Sequence, residues 1–320
     1  MQALVWKGGA ELDYEELADP VPAGGEVVLS VALAGICGSD LHGYRGHPGP
    51  RVPPLVLGHE AVGVFNGERF AIFPLIGCGH CEHCMQGEVN LCPHWQLVGM
   101  QRSGVFAEQV AVPRTCLVPV PADMPTERAV LAEPMACAVG ALAPHHIAAG
   151  TRVAVLGAGP IGLLATMLAA GRGARVIAVD PLPARRELAL RLGAEVAAAE
   201  PEQLEQASVD LVIDAAGFQA TWRAALALAR AGGEIVMLGL GDAEAPFAMA
   251  SLIRRSITLR GQFAYSRRDF DAAIDALSRP GVDVDWCEIQ PLAHGAGAFA
   301  ALVGEPDRHA KILLSPALAG

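Results

Sequence analysis

The feature that most constrains the fold is a glycine-rich turn between an apolar strand and an apolar helix. The segment VAVLGAGPIG places Gly157, Gly159 and Gly162 in the pattern G-x-G-x-x-G, with Pro160 and Ile161 opening the helix. The first glycine makes the bend, the second lets the backbone approach a pyrophosphate, and the third allows close helix–strand packing. The free N–H groups at the helix start attract that anion. The motif therefore predicts a dinucleotide-binding α/β unit.

From about residue 126 onward, β-branched runs alternate with alanine-rich helical stretches. Such alternation gives right-handed crossovers and a parallel, doubly wound sheet. The uncharged run 153–171 is long enough for a membrane span, but its glycines and proline break it, so we interpret it as a buried strand and a buried helix. We predict strands at 152–156, 175–179, 211–213, 234–238 and 311–314, and helices at 160–171, 183–192, 219–230 and 268–277.

The second predicted strand of this unit ends in Asp180, 18 residues after the last motif glycine. A carboxylate there can accept hydrogen bonds from the hydroxyls of an adenosine ribose and repels a 2′-phosphate, which favours NAD over NADP. Arg185 and Arg186 are the counter-argument, because a guanidinium can pair with that phosphate; Arg185 can equally stack on adenine. Leu238 and Gly239 follow a later strand, at the edge where ligands of such sheets lie.

The first 130 residues differ, with many Gly and Pro residues and short alternating apolar runs, as at 26–33 and 104–112. This pattern predicts short strands in an irregular β domain. Asn66-Gly67 lies between the runs 61–65 and 68–73 and predicts a tight hairpin turn.

Four cysteines, Cys78, Cys81, Cys84 and Cys92, follow the spacing C-x2-C-x2-C-x7-C. Zinc suits four sulfur ligands because its d10 shell imposes no geometry of its own. Two disulfides in a secreted protein or an iron–sulfur cluster are the alternatives. A closed four-thiolate site leaves no position for substrate, so we predict a structural zinc in the lobe 78–92.

A second set of metal-ligand residues lies upstream, in the segments CGSDLH and GHE. They supply the thiol of Cys37, the imidazole of His59 and the carboxylate of Glu60. A catalytic zinc needs three protein ligands and an open position, although each residue alone also fits a buried cysteine, a loop histidine or a surface glutamate. Glu133, an acidic residue in an otherwise apolar segment, is a fourth candidate and also suits the first turn of a helix.

Composition narrows the class of function. Hydrophobic residues make up 52% of the 320 residues and charged residues 18%, which fits a packed enzyme with two domains. The net charge of −11 disfavours a nucleic-acid or membrane partner, since phosphate binding needs clustered Lys and Arg. The first residues lack the pattern of a signal peptide. We therefore expect a cytoplasmic protein that acts on a small molecule.

In combination, these segments resemble the zinc-dependent medium-chain alcohol dehydrogenases, and most closely the sorbitol, threonine and polyol dehydrogenase branch. The resemblance runs through nearly the whole chain and rests on C-G-S-D-x-H, G-H-E, the four-cysteine lobe, E-P and G-A-G-P-I-G. It implies a GroES-like β catalytic domain over 1–137, a Rossmann NAD domain over 138–266, and a segment over 267–320 that completes the catalytic domain. It also implies two zinc ions per chain, NAD, and a homodimer or homotetramer.

The resemblance further implies a ligand set for the catalytic zinc. Cys37 and His59 would hold the ion, and Glu60 or Glu133 would complete its coordination, directly or through water. Ordinary alcohol dehydrogenases carry a cysteine near the position of Glu133, so the glutamate indicates the polyol branch.

A proton relay is implied as well. Ser39 would take the proton of the substrate hydroxyl and pass it through the nicotinamide ribose towards His42. Asp40 would orient His59 and tune the metal. The enzyme would then oxidise a secondary alcohol to a ketone by hydride transfer to NAD.

Three departures from this branch bear on the substrate. The loop that follows GHE is shortened to residues 64–69, Gly43 stands where sorbitol-type enzymes carry a tyrosine, and the arginine that precedes the tyrosine in their Arg-Tyr pair is absent. Tyr44 and Tyr265 remain candidate contacts for substrate hydroxyls. These differences disfavour sorbitol itself; another polyol, a cyclitol or a smaller secondary alcohol fits equally well.

Two other functions compete with this interpretation. A zinc-free reductase on the same scaffold would reduce an activated double bond or carbonyl, but it needs no pair like Cys37 and His59. An interaction module built on the zinc lobe would need no cofactor motif. We therefore expect the alcohol dehydrogenase.

Overall fold

The computed structural model describes residues 1–47, 49–244 and 246–318. The chain divides into two compact units, the first made of Met1–Glu133 with Ser266–Gly320 and the second of Pro134–Tyr265. The predicted domain boundaries, after residues 137 and 266, lie within a few residues of these divisions. The first unit is therefore built from two stretches of chain that are far apart in sequence.

The elements are numbered along the chain. The strands of the N-terminal stretch are β1 (Gln2–Gly8), β2 (Glu11–Glu16), β3 (Glu26–Gly35), β4 (Leu55–Val56), β5 (Glu60–Phe65), β6 (Glu68–Ile72), β7 (Leu75–Ile76), β8 (Gln96–Leu97), β9 (Gln109–Pro113) and β10 (Leu117–Pro119). Its helices are α1 (Gly38–Tyr44), α2 (Glu82–Met85) and α3 (Thr126–Ala129), and α4 (Ala132–Leu142) spans the division.

The later elements follow in the same way. The second unit continues with β11 (Arg152–Leu156), α5 (Pro160–Gly171), β12 (Arg175–Val179), α6 (Pro183–Arg191), β13 (Val196–Ala198), β14 (Val209–Asp214), α7 (Gln219–Leu228), β15 (Ala229–Met237), α8 (Met249–Arg254) and β16 (Thr258–Gly261). The first unit resumes with α9 (Arg267–Leu277), β17 (Cys287–Pro291), α10 (Gly295–Gly304) and β18 (Lys311–Ser315). Short 3-10 helices lie at Val89–Leu91, Arg114–Cys116, Pro201–Gln203 and Leu292–His294.

The second unit contains the predicted parallel sheet. In the described residues its strand order is β13-β12-β11-β14-β15-β16, and every pairing is parallel. This is the doubly wound order, in which the direction of winding reverses beside β11. The glycine-rich turn follows β11, so it lies at the point where ligands bind such sheets. The interpretation of 153–171 as a strand and a helix is confirmed by β11 and α5.

The junction between α7 and β15 was predicted wrongly. The helix expected over 219–230 ends at Leu228, and β15 begins at once with Ala229 instead of at residue 234. The reason is a parallel pairing of Ala229 with Val209, which draws the chain into the sheet without a connecting loop.

The first unit contains a sheet around the long strand β3, which pairs antiparallel with β5, β9 and β18. A fully buried cluster that includes Leu4, Phe106 and Phe299 forms its core. The run 104–112, predicted as a strand, is one only from Gln109 onward. Its first residues form no regular ladder because their amides donate to different places: those of Val105 and Phe106 to the loop before β5, and those of Gly104 and Glu108 to β4 and β1.

The predicted hairpin forms between β5 and β6. Asn66 and Gly67 both have positive φ, 51° and 80°, as the tight turn of a twisted hairpin requires. Among the residues described, no helix combines the length and apolar character needed to cross a membrane.

Replacing Gly67 by Val should lower the thermal midpoint of unfolding, because a β-branched residue at positive φ costs about 1–3 kcal/mol. Gly24→Val is the matched control, since Gly24 has no positive φ and a Cβ there would meet nothing within 4 Å. Circular dichroism on both variants measures the effect, and equal midpoints would contradict the assigned turn.

Candidate active site

Cys37 stands between β3 and α1 and caps the helix. The carboxylate of Asp40, in the first turn, accepts a hydrogen bond of 3.1 Å from the backbone N–H of Cys37. This hydrogen bond satisfies a backbone amide that has no partner within the helix. The thiol of Cys37 is thereby fixed just beyond the end of β3.

The pairing of β3 with β5 brings the other predicted ligands to the same place. Gly35, at the end of β3, lies opposite Glu60, at the start of β5, and His59 directly precedes that strand. One ligand atom from each of Cys37, His59 and Glu60 lies within 4.8 Å of the other two. The sequence predicted these residues as a set, and the strand register assembles them.

His59 is buried, with 3% of its surface exposed, and its Nδ1 lies 3.7 Å from Oδ1 of Asp40. Burial opposes protonation, but the negative charges of Asp40 and Cys37 outweigh it and raise the pKa of His59 to about 10. Because Nδ1 faces the carboxylate, the other ring nitrogen is left for a metal ion, the arrangement usual for a metal-bound histidine. A metal ion would displace the proton that the ring otherwise carries.

Glu60 is fully buried and is paired with a cation from the far end of the chain. Lys311, the first residue of β18, places its Nζ 2.5 Å from Oε2 of Glu60 and donates to the carbonyl of Ile36 at 2.8 Å. Gly35 makes room for this carboxylate, since a Cβ at that position would overlap Oε2. The negative charge of Glu60 thus has a partner whether or not a metal ion is bound.

Sequence reasoning treated Lys311 only as the start of a strand and missed its place beside Glu60. A signal was present: the chain has two lysines, Lys7 and Lys311, and the second opens the apolar run KILLS. A lysine is almost never fully buried unless it is paired. Such a residue at the edge of a core strand therefore indicates a buried anion.

These residues fit a zinc ion. Thiol, imidazole and carboxylate are the donor types that zinc takes in catalytic sites, and Oε1 of Glu60 has no hydrogen-bond partner within the described part of the chain. Glu133, 8% exposed in the first turn of α4, lies outside the compact group of three, although its charge contributes to the raised pKa of His59. Whether Glu60 or Glu133 binds the ion directly stays a prediction.

The predicted relay residues lie on α1. Ser39 is half-buried, and its Oγ accepts from Nη2 of Arg51 at 3.4 Å. The pKa of His42, in the last turn, is lowered, first by partial burial and then by the positive charges of Arg45, His47 and Arg51. Arg51 was not singled out from the sequence, because nothing local marks it as buried.

The two tyrosines predicted as substrate contacts are both engaged in packing. The ring of Tyr44 lies against that of Phe299, with 5.5 Å between the ring centroids. Tyr265 is fully buried. Their predicted contacts with substrate stay predictions.

The four-cysteine lobe has the geometry of a closed zinc site. The ligand atoms of Cys78, Cys81, Cys84 and Cys92 lie within 4.8 Å of one another, and the Sγ atoms of Cys78 and Cys84 are 4.0 Å apart. Four sulfurs about 2.3 Å from a tetrahedral zinc would be separated by about 3.8 Å. All eight cysteines, each within the described ranges, are free thiols, so the alternative of two disulfides is wrong.

Backbone amides prepare this lobe for anionic sulfur. The N–H groups of Cys78 and His94 each donate to Sγ of Cys92 at 3.4 Å, and that of Cys84 donates to Sγ of Cys81 at 3.5 Å. Hydrogen bonding from the backbone N–H of His80 lowers the pKa of Cys78, whereas burial raises that of Cys84. Hydrogen bonds to thiolates favour their charged form.

The glycine-rich turn has the shape a pyrophosphate requires. Gly157 has a φ of 91°, and a side chain at Gly162 would overlap the carbonyl oxygen of Gly157. Gly159 caps α5 with Pro160 at its first position, and a Cβ on Gly159 would meet nothing within 4 Å. The backbone therefore leaves open space at the helix N-terminus, which fits a bound phosphate.

Asp180 stands at the tip of β12, beside this turn. Its carboxylate accepts from the N–H of Ala158 at 2.8 Å and from that of Leu182 at 2.9 Å. Arg186 donates to the carbonyls of Asp180 and Pro181, both at 2.8 Å, and so is committed to the backbone. Arg185 is buried in α6.

Leu238 and Gly239, the remaining predicted cofactor contacts, follow β15 at the same edge of the sheet. Both amides donate to the carbonyl of Asp214 at 2.9 Å. The carboxylate of Asp214 in turn accepts from Gly217 and Thr221, and burial raises its pKa. This network fixes the two strand-end loops beside β11.

Replacing Lys311 by Met should destabilise the protein by about 3–5 kcal/mol, because it leaves the buried carboxylate of Glu60 without its counter-charge. Lys7→Met is the matched control, since Lys7 pairs with Glu15 at the surface and should change stability by about 1 kcal/mol at most. Adding Glu60→Gln to Lys311→Met should restore part of the loss. Denaturant unfolding checks this, and an unchanged Lys311→Met protein would contradict it.

Comparison with known proteins extends these observations. Residues 160–279 match the zinc-binding dehydrogenase family, and residues 23–122 match the alcohol dehydrogenase GroES-like domain. L-galactonate-5-dehydrogenase from Escherichia coli strain K12 is 32% identical over 292 residues, covering 84% of this chain and 85% of that protein. Sorbitol dehydrogenase from Bacillus subtilis strain 168 is 32% identical over 309 residues, covering 88% and 87%.

A solved structure matches along the whole length. The alcohol dehydrogenase RspB from Escherichia coli CFT073, crystallised with NADH, aligns with a TM-score of 0.90 at 28% identity and covers 98% of this chain and 99% of its own. The predicted GroES-like β fold and Rossmann-type sheet are confirmed by this match and by the family match. Sequence identity that persists along nearly the entire chain, joined to so similar a backbone, reflects common descent: the chain belongs to the zinc-binding medium-chain alcohol dehydrogenase family.

Proposed function

We propose that this chain oxidises a secondary alcohol of a polyol, cyclitol or sugar acid to the ketone, with NAD as the acceptor. The observation that carries the proposal is the meeting of Cys37, His59 and Glu60 in one buried group. The relatives named for L-galactonate and sorbitol support the substrate class. In the balanced reaction the carbinol carbon gives a hydride to oxidised NAD and the hydroxyl gives up a proton, so the products are the ketone, NADH and one proton.

Both the bound cofactors and the protein's own side chains would contribute to this reaction. When bound, zinc would supply the Lewis acidity that lowers the pKa of the substrate hydroxyl, and NAD would supply the hydride acceptor. Cys37 and His59 would hold the ion, with Glu60 or Glu133 completing its coordination. Asp40 would orient His59, whose Nδ1 lies 3.7 Å from Oδ1 of that carboxylate.

The chain must also remove the hydroxyl proton. Ser39, half-buried in the first turn of α1, would accept it at Oγ while its own hydroxyl proton leaves towards His42. The lowered pKa of His42 keeps that ring neutral at neutral pH, so it can accept a proton.

NAD is the proposed coenzyme because of Asp180. Its carboxylate stands beside the glycine-rich turn, where a negative charge would repel a 2′-phosphate, and the neighbouring Arg186 is bonded to backbone carbonyls. A zinc-free reductase, the alternative, has no use for the buried metal-ligand group.

The direct test is NADH formation, followed by its absorbance, across sugar acids, polyols and cyclitols, with metal analysis of the same protein. We expect two zinc ions per chain and activity on one of these classes. Cys37→Ser or His59→Gln should lower kcat/KM by about 1,000-fold, because the Lewis acid contributes several kcal/mol. NADH binding, measured by fluorescence, should persist.

Cys137→Ser, a change of the same kind outside both metal-ligand groups, should leave activity intact. One zinc per chain, or full activity in the Cys37 and His59 variants, would overturn the proposal and would favour the alternative function of a zinc-free reductase.

Coenzyme choice gives a separate prediction. Asp180→Ala should lower the preference for NAD over NADP by roughly tenfold, since it removes the charge that repels the 2′-phosphate. Glu187→Ala removes an exposed carboxylate from the neighbouring helix and is the matched control. The ratio of kcat/KM for the two coenzymes measures the effect, and an unaltered ratio would show that Asp180 does not select the coenzyme.

A further inference from the structure

A second buried cation lies near the metal-ligand group, contributed by the N-terminal stretch of the chain. Arg51 belongs to the loop between α1 and β4, yet only 3% of its side chain is exposed. Its Nη2 lies 3.4 Å from Oγ of Ser39 and 3.6 Å from Oδ1 of Asp40. One nitrogen therefore contacts both the residue proposed to take the substrate proton and the residue that orients His59.

Gly43 of α1 lies beside this side chain. A Cβ on Gly43 would stand 3.5 Å from Cδ of Arg51 and 3.9 Å from its Nε. Both distances are ordinary van der Waals contacts, so α1 packs against the stem of Arg51 at this position.

We propose that Arg51 is a positioning residue that orients the hydroxyl of Ser39 for proton transfer, an inference that rests on the proposed function. An arginine only donates hydrogen bonds. When Nη2 donates to Oγ, it occupies one lone pair and directs the serine hydrogen away from the guanidinium. Ser39 keeps one lone pair to accept the substrate proton and one hydrogen to pass on, which is what a relay needs.

The position of Asp40 explains why a neutral side chain at position 51 could not replace the arginine. Its Oδ1 lies 3.6 Å from the same Nη2 that donates to Ser39, so the guanidinium bridges the carboxylate and the serine. Without the guanidinium, Oγ of Ser39 would lose its donor and the buried carboxylate of Asp40 would lose its counter-charge. A neutral side chain at position 51 could replace the donor but not the charge.

The test is a double-mutant cycle between positions 51 and 39, run with the zinc-loaded enzyme and its best alcohol substrate. Arg51→Gln should lower kcat by about 100-fold, the effect of misplacing a reacting group by about 1 Å, while KM for NAD is unchanged. Arg51→Lys should recover part of the rate. In a Ser39→Ala background, Arg51→Gln should have no further effect on kcat, because the two residues act as one unit.

Zinc content and thermal midpoint accompany each variant, and Arg308→Gln, which removes an exposed cation, is the charge control. If Arg51→Gln does not fold, the same cycle is run with Arg51→Lys, which keeps the counter-charge of Asp40. A fall in kcat of equal size with and without Ser39 means a structural role and overturns the inference. An active wild type with an unaffected Arg51→Gln variant overturns the inference alone, whereas an inactive wild type overturns the proposed function together with it.

Discussion

Burying a charged side chain costs free energy unless an opposite charge lies beside it, and the metal-ligand group of this chain meets that requirement. Asp40 and Glu60 are fully buried carboxylates. Each has a buried cation beside it, Arg51 at 3.6 Å and Lys311 at 2.5 Å. An isolated carboxylate in such surroundings would take up a proton. The two cations supply the opposite charge that these buried carboxylates need, next to a group of residues that fits a divalent ion.

This compensation explains why the first unit draws on distant parts of the sequence. β3 ends beside Cys37, β5 starts with Glu60, and β18 pairs with the end of β3 so that Lys311 reaches the carboxylate. Glycine at position 35 completes the fit by leaving room for that carboxylate. A change to any of these strands therefore alters the electrostatics of the metal-ligand group as well as the packing around it.

The sequence predicted what depends on local spacing. The glycine-rich turn and the four-cysteine lobe each need only a short stretch of chain, so their residue patterns were sufficient. Four of the six strands of the parallel sheet followed from periodicity, whereas the short strands β13 and β16 at its two edges were not predicted. Lys311 and Arg51 were missed because their burial depends on pairing between segments far apart in sequence. Residues 104–108 and the start of β15 were placed wrongly for a related reason, since their hydrogen-bond partners belong to other elements.

The arrangement of β18 has a consequence for how the protein is made. The second unit is one continuous stretch, so it can fold as soon as it has left the ribosome, as domains generally do. The first unit cannot, because Glu60 must wait for a lysine that is translated 251 residues later (311 minus 60). Until β18 docks, the nascent polypeptide carries an uncompensated acid in its future interior. Metal acquisition at that centre is therefore expected to be a late, post-translational event, whereas the cysteine lobe, complete by residue 92, can be loaded early.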